Sequence, residues 1–117
     1  MRVLIVDDNK ELRDFLALSL AEAAVEAVVA ETVEDALWKV EAEKFDALVI
    51  DSIMENNDGI TLVQQIRATK NGRSVPILMM STISTMLARR MAKSAGCEFL
   101  AKPFGQTQFI EQVKGLR

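Results

Sequence analysis

The chain has 117 residues, half of them hydrophobic, and a formal net charge of −3, which suits one domain with one ordinary core. It has no histidine and a single cysteine, which excludes a His-dependent triad, a His metal site, a phosphohistidine and an internal disulfide. No basic stripe points to direct nucleic-acid binding, no run approaches the ~20 apolar residues that span a bilayer, and no signal-peptide pattern opens the chain, so a cytoplasmic protein is expected.

Strand-like and helix-like segments alternate from end to end. Residues 2–6 read as a fully buried strand. Over 10–23, Leu12, Phe15, Leu16, Ser19, Leu20 and Ala23 follow helical spacing. Val25–Ala30 reads as a second strand. Val33, Ala36, Leu37 and Val40 form the stripe of a second helix, with Glu34, Asp35, Glu41 and Glu43 on its wet side and Trp38 beside the stripe. Ala47–Ile50 is the third strand. Gly59 opens a third helix whose core face is Ile60, Val63 and Ile66, and Asn71-Gly72 closes it. Pro76 begins the fourth strand, where its missing N–H is harmless. A fourth helix covers 84–95 and stops at Gly96, with Arg89, Arg90 and Lys93 on a solvated face. Strand five is Glu98–Ala101, preceded by Cys97 as a small buried residue. The last helix covers about 106–115, with Phe109, Val113 and Leu116 inward.

Five such βα units leave room only for short loops. They predict an α/β fold: a three-layer (βα)5 doubly wound parallel sheet, flavodoxin-like, with helices on both faces. The common order for five such strands is 2-1-3-4-5, with ligands bound where the order reverses. Strand three is then central. Four apolar runs end in chemically loaded residues: Asp7-Asp8, Asp51, Ser81-Thr82 and Lys102-Pro103. Three carboxylates at one sheet edge repel one another, and one is expected to hold its proton at a raised pKa unless a cation intervenes. With no histidine, that cation is held by oxygen, which points to a hard ion such as Mg²⁺. Solvated strand-end acids would explain one such residue, not four converging groups.

Four motifs carry a family resemblance: Val6-Asp7-Asp8-Asn9, Asp51-Ser52-Ile53-Met54 followed by Asp58-Gly59, Ser81-Thr82, and Lys102-Pro103-Phe104. In this order and spacing the chain resembles, over essentially its whole length, the CheY-like receiver domain of two-component response regulators. The resemblance implies that Asp51 accepts a phosphoryl group. It implies that Asp8, Asp51 and the backbone carbonyl of Ile53 ligate Mg²⁺ directly, with Asp7 acting through water. Lys102 then pairs with Asp51 or a phosphoryl oxygen, Ser81 reaches the phosphoryl group in the active state, and Phe99 is the switch aromatic. The resemblance implies a cis Lys102–Pro103 bond, whereas the frequency of about 5% for cis X–Pro in folded proteins argues for trans. Phosphoryl transfer needs an in-line nucleophile and neutralised equatorial oxygens, which agrees with these roles.

The chain departs from the family pattern at several positions. Phe99 replaces the commoner Tyr and loses the hydroxyl that would have to be desolvated; a ring that stays in the core in both states is the competing expectation. Ser81 replaces the commoner Thr. Glu55 stands where Pro is frequent. Ile53, Thr82 and Ile83 occupy variable flanks of the phosphosite, and the apolar pair Ile53 and Ile83 is expected to hinder an attacking water and lengthen the life of the acyl phosphate.

A stand-alone receiver is the simplest expectation, monomeric or weakly dimeric. A sensor histidine kinase or histidine phosphotransfer protein is expected upstream, and a downstream protein is expected to dock on helix 4, strand 5 and helix 5. Met86, Leu87 and Met91 offer an adaptable surface there, unless they form a core stripe. The alternative within the family is a receiver fragment of a DNA-binding regulator. A flavodoxin-like electron carrier would need a phosphate loop where Asp7 and Asp8 stand. A haloacid-dehalogenase-like phosphatase would need its nucleophile on strand one with a second Asp two residues on, and it is usually longer. The chain is expected to be no enzyme beyond its own phosphorylation and dephosphorylation.

Overall fold

A computed structural model describes residues 1–54 and 57–116; Glu55 lies outside them. Five parallel strands, β1 (Arg2–Val6), β2 (Glu26–Ala30), β3 (Ala47–Asp51), β4 (Ile77–Ser81) and β5 (Cys97–Ala101), form one sheet in the order β2-β1-β3-β4-β5. Five helices intervene: α1 (Lys10–Glu22), α2 (Val33–Ala42), α3 (Gly59–Arg67), α4 (Met86–Ser94) and α5 (Gln106–Lys114). Ile53–Met54 pairs antiparallel with Asn57–Asp58 in a separate two-stranded ribbon just past β3. The doubly wound order predicted from the sequence is the one observed.

Strand period two sorts the apolar side chains into two cores. Leu4, Val6, Leu48, Ile50, Ile77 and Met79 pack on the face shared with α2, α3 and α4. Val3, Ile5, Ala47, Val49, Leu78 and Met80 pack on the opposite face, against Leu16 and Leu20 of α1 and Phe109 and Val113 of α5. β1, β3 and β4 lie inside the sheet and are apolar on both faces, as parallel strands with two covered faces must be. β2 is an edge, and only Ala30 among its residues is fully buried.

The helix starts follow from their caps. Asn9, Thr32, Asp58 and Thr85 each accept the N–H three residues on, at 3.0, 3.1, 2.7 and 3.2 Å. α1 ends in a double turn in which Ala24 N–H donates to Ala21 O and Val25 N–H to Leu20 O. This pattern calls for a left-handed residue after the cap. Gly96 supplies it after α4 at φ 78, but Ala24 takes it after α1 at φ 61. An alanine there bears a steric cost that glycine avoids, partly offset by the looser unfolded chain of glycine. Ala24→Gly should therefore stabilise by about 0.5–1 kcal/mol, read as a higher urea midpoint at unchanged m-value.

Four details differ from the sequence-based expectations. In α1, Phe15 is 42% exposed and Arg13 is buried instead, because the Arg13 guanidinium donates to Asp7 O at 2.9 Å and pairs with Glu31 at 3.5 Å. In α3, Leu62 is fully buried and Ile60 only partly. α4 is shorter than predicted, since Thr85 caps it. α3 ends at Arg67, not at Asn71-Gly72: Thr69 Oγ donates to Ile66 O at 2.7 Å and closes the last turn. Asn71 instead reaches across to α2 and donates from Nδ2 to Val40 O at 3.0 Å and Glu41 O at 3.3 Å. Those are C-terminal carbonyls that the helix cannot satisfy itself. Asn71→Ala should cost about 1 kcal/mol, measured by denaturant unfolding.

Candidate functional site

β1 and β3 are neighbours in register, with Val6 opposite Ile50. Their C-terminal ends therefore deliver Asp7, Asp8 and Asp51 to one place. One carboxylate oxygen from each lies within 4.8 Å of the others. Asp7 is fully buried, Asp51 is 8% exposed and Asp8 faces solvent. The bend after β1 is held by Asn9, whose N–H donates to Asp7 Oδ1 at 2.8 Å while its side chain caps α1. Asp7 Oδ2 is buried and has no hydrogen-bond partner among the described residues. Burial pushes the Asp7 carboxyl above its ordinary range; the Asn9 N–H opposes this, the Asp51 charge adds to it, and Lys102 and Asp8 contribute smaller opposing effects.

Lys102 arrives from the end of β5. Its N–H donates to Ser81 O at 2.8 Å, and its Nζ lies 3.2 Å from Asp51 Oδ1, with both side chains largely shielded. The Lys102–Pro103 bond is cis, as the resemblance implied and the general frequency of trans did not. At this spacing two carboxylates repel by about 3 kcal/mol at an effective dielectric of about 20, and one ammonium does not neutralise three acids. An orphaned, buried carboxylate oxygen beside two more oxygen ligands fits a small hard dication.

Behind Asp51 the backbone is tightly held. Ser52 N–H donates to Met80 O at 2.8 Å, and Gly59 N–H donates to Ser52 O at 2.7 Å. A Cβ on Gly59 would stand 2.5 Å from Asp51 O and 2.9 Å from Ser52 Cα, so only glycine lets α3 start this close to the acid. Ser81 is 2% exposed; its Oγ accepts from Ser52 Oγ at 2.7 Å and from Ile83 N–H at 3.0 Å. The motifs alone assign Ser52 no role, although strand parity carries the signal. Ser52 continues the parity of Leu48 and Ile50, and Ser81 that of Ile77 and Met79, so both fall on the α4 face.

Phe99 is half-buried on that same face, opposite Met79 in register. Arg89 of α4 lies over its ring, 4.7 Å from the centroid. An apolar cleft of about 260 Å³ opens beside it, lined among others by Ser52, Ile60, Met79, Leu87 and Phe99. Ile53 and Ile83 are exposed at its mouth, and so is Thr82 nearby. Met86, Leu87 and Met91 are also exposed, so they form surface and not a core stripe. Cys97 is buried, and burial raises its thiol to about 11. No helix among the described residues is long and apolar enough to cross a membrane.

Known proteins resemble this chain in sequence and fold. A family model of the response regulator receiver domain matches residues 3–114. Response regulator MprA of Mycobacterium leprae (strain TN) is 32% identical over 117 residues, covering 99% of this chain and 50% of that protein. Response regulator MprA of Mycobacterium avium (strain 104) is 31% identical with the same coverage. The chain thus spans about half the length of the curated relatives it matches. Among solved structures, the chemotaxis response regulator CheY4 of Vibrio cholerae superposes with a TM-score of 0.90 at 27% identity, over 97% of this chain and 95% of that one. The receiver domain of sensor histidine kinase PA1611 from Pseudomonas aeruginosa PAO1, with a magnesium ion coordinated in its active-site cleft, gives 0.87 at 25% identity, over 97% and 93%. The family match spans a range that contains all four strand ends, and this chain belongs to the response regulator receiver domain family, the CheY-like signalling modules of two-component systems.

Proposed function

We propose that the chain is a phosphoacceptor switch in which Asp51 receives a phosphoryl group from a sensor histidine kinase or histidine phosphotransfer protein. The observation that carries this reading is the convergence of Asp7, Asp8 and Asp51 with Lys102 Nζ 3.2 Å from Asp51 Oδ1. Asp8, Asp51 and the Ile53 carbonyl would hold Mg²⁺ directly, and Asp7 would hold it through water. When bound, the ion supplies positive charge against the phosphoryl oxygens.

Asp51 is the nucleophile. One carboxylate oxygen attacks phosphorus in line with the leaving group, whose bonding electrons depart with it. Lys102, already paired with Asp51, orients that carboxylate and then meets the incoming oxygens. The Ser81 hydroxyl stabilises the transferred group once its loop moves inward, and Phe99 turns into the adjoining apolar cleft. The exposed Met86, Leu87 and Met91 on α4 support docking of a downstream protein on the α4–β5–α5 face. The half-length match to the MprA relatives favours a second setting for the same switch, as the receiver portion of a longer response regulator.

Exposure of the protein to acetyl phosphate and Mg²⁺ should add one phosphoryl group by intact mass. No adduct from either acetyl phosphate or a cognate kinase would sink the reading. Ile53 and Ile83 flank the phosphosite with apolar surface and should hinder an attacking water. The adduct should accordingly outlast seconds in Mg²⁺ buffer; decay within seconds would contradict this.

A further inference from the structure

We infer that Ser52 is a positioning residue that restrains Ser81 in the unphosphorylated arrangement; the inference rests on the phosphoacceptor reading above. The Ser52 hydroxyl donates to Ser81 Oγ at 2.7 Å, and Ile83 N–H donates to the same oxygen at 3.0 Å. A hydroxyl has two acceptor sites, so both are taken. Ser52 is a fixed donor because its backbone is pinned at both ends: its N–H donates to Met80 O, and its carbonyl accepts from Gly59 N–H. Gly59 also packs so close that a Cβ would reach Ser52 Cα at 2.9 Å, which leaves this residue little room to shift.

The direction of the restraint follows from strand parity. Ser52 and Ser81 continue the residues that face α4, while Asp51 continues Ala47 and Val49, which face α1 and α5. Ser52 also lines the apolar cleft with Met79 and Phe99. It therefore holds the Ser81 oxygen toward the cleft side of the sheet. Both bonds leave the Ser81 O–H free to donate, but if its loop carries Ser81 inward to a phosphoryl group on Asp51, its oxygen leaves the fixed Ser52 hydroxyl at a residue that is 2% exposed, where water is a poor substitute. The restraint favours the resting state and raises the threshold for switching.

The test is a double-mutant cycle on the complex with Mg²⁺ and beryllofluoride, a phosphoryl mimic, with affinity read by fluorine NMR. Ser52→Ala should tighten beryllofluoride binding roughly 2- to 12-fold, the equivalent of one hydrogen bond. Ser52→Thr, which keeps the hydroxyl, should return affinity toward that of the parent. In a Ser81→Ala background, Ser52→Ala should change nothing, since the partner is gone. Equal tightening in both backgrounds would reduce the effect to general loosening of the loop and overturn the inference, as would no tightening with Ser81 present. A parent protein that binds no beryllofluoride and gains no phosphoryl adduct would overturn the phosphoacceptor reading and this inference with it.

Discussion

Asp51→Asn should gain no phosphoryl adduct under conditions in which the parent gains one. An amide oxygen carries no charge and an amide nitrogen no available lone pair, so the in-line nucleophile is lost while the shape of the side chain is kept. The fold should survive. The substitution loses the ion pair with Lys102, but it also removes one of three carboxylates crowded within 4.8 Å. These effects oppose each other, and the melting temperature should move by only a few degrees. Intact mass after exposure to acetyl phosphate and Mg²⁺ reads the result. An adduct at parental level in Asp51→Asn would move the acceptor elsewhere, and peptide mapping would then have to place it on Asp7 or Asp8.

Asp7→Asn should reverse its effect on stability according to whether Mg²⁺ is present. Without the ion, Asp7 is a fully buried carboxylate with one orphaned oxygen and two acids close by. The amide side chain can keep the Asn9 contact through its oxygen and turn its NH₂ toward those acids. The variant should gain about 1 kcal/mol in metal-free buffer at neutral pH. The pH dependence has a definite sign. Burial raises the Asp7 pKa in the folded protein, so the folded parent binds its proton more tightly than the unfolded chain does. Parental stability relative to the variant is highest below the unfolded value of about 3.9 and is lost as pH rises through the raised folded value. The gap should therefore open with rising pH and vanish in acid. With Mg²⁺ the parent gains stability by mass action, and Asp7→Asn should gain less, because its affinity falls by about 10-fold or more. Thermal unfolding across pH, with and without Mg²⁺, checks both halves; a variant less stable than the parent in metal-free neutral buffer would refute the account.

The sheet is legible in the sequence because its signals are local. Runs such as Val3–Val6 and Ala47–Ile50 are apolar on both faces, which only covered parallel strands tolerate. Asp7, Asp8, Asp51, Ser81 and Lys102 stand out for the same reason, as polar residues that end those runs. Local patterns mislead where a distant partner decides. Phe15 and Arg13 exchange places against a simple helical stripe because the guanidinium finds Asp7 O. Asn71 has the composition of a stop for its own helix, yet it satisfies the carbonyls of another.

By itself the sequence determined the order of elements, the acidic, histidine-free character of the cluster and the identity of the charged strand ends, since composition and periodicity are properties of the chain alone. Tertiary structure decided which groups meet: the 3.2 Å approach of Lys102 to Asp51, the orphaned oxygen of Asp7, and the hydroxyl of Ser52 on Ser81. Ser52 and Ser81 are 29 positions apart, and Lys102 lies farther still from Asp51. Parallel strands of one sheet, adjacent for Ser52 and Ser81 and separated by β4 for Asp51 and Lys102, bring such groups together where no local pattern marks the pair, and the burial that orphans the Asp7 oxygen is likewise set by elements remote in the chain.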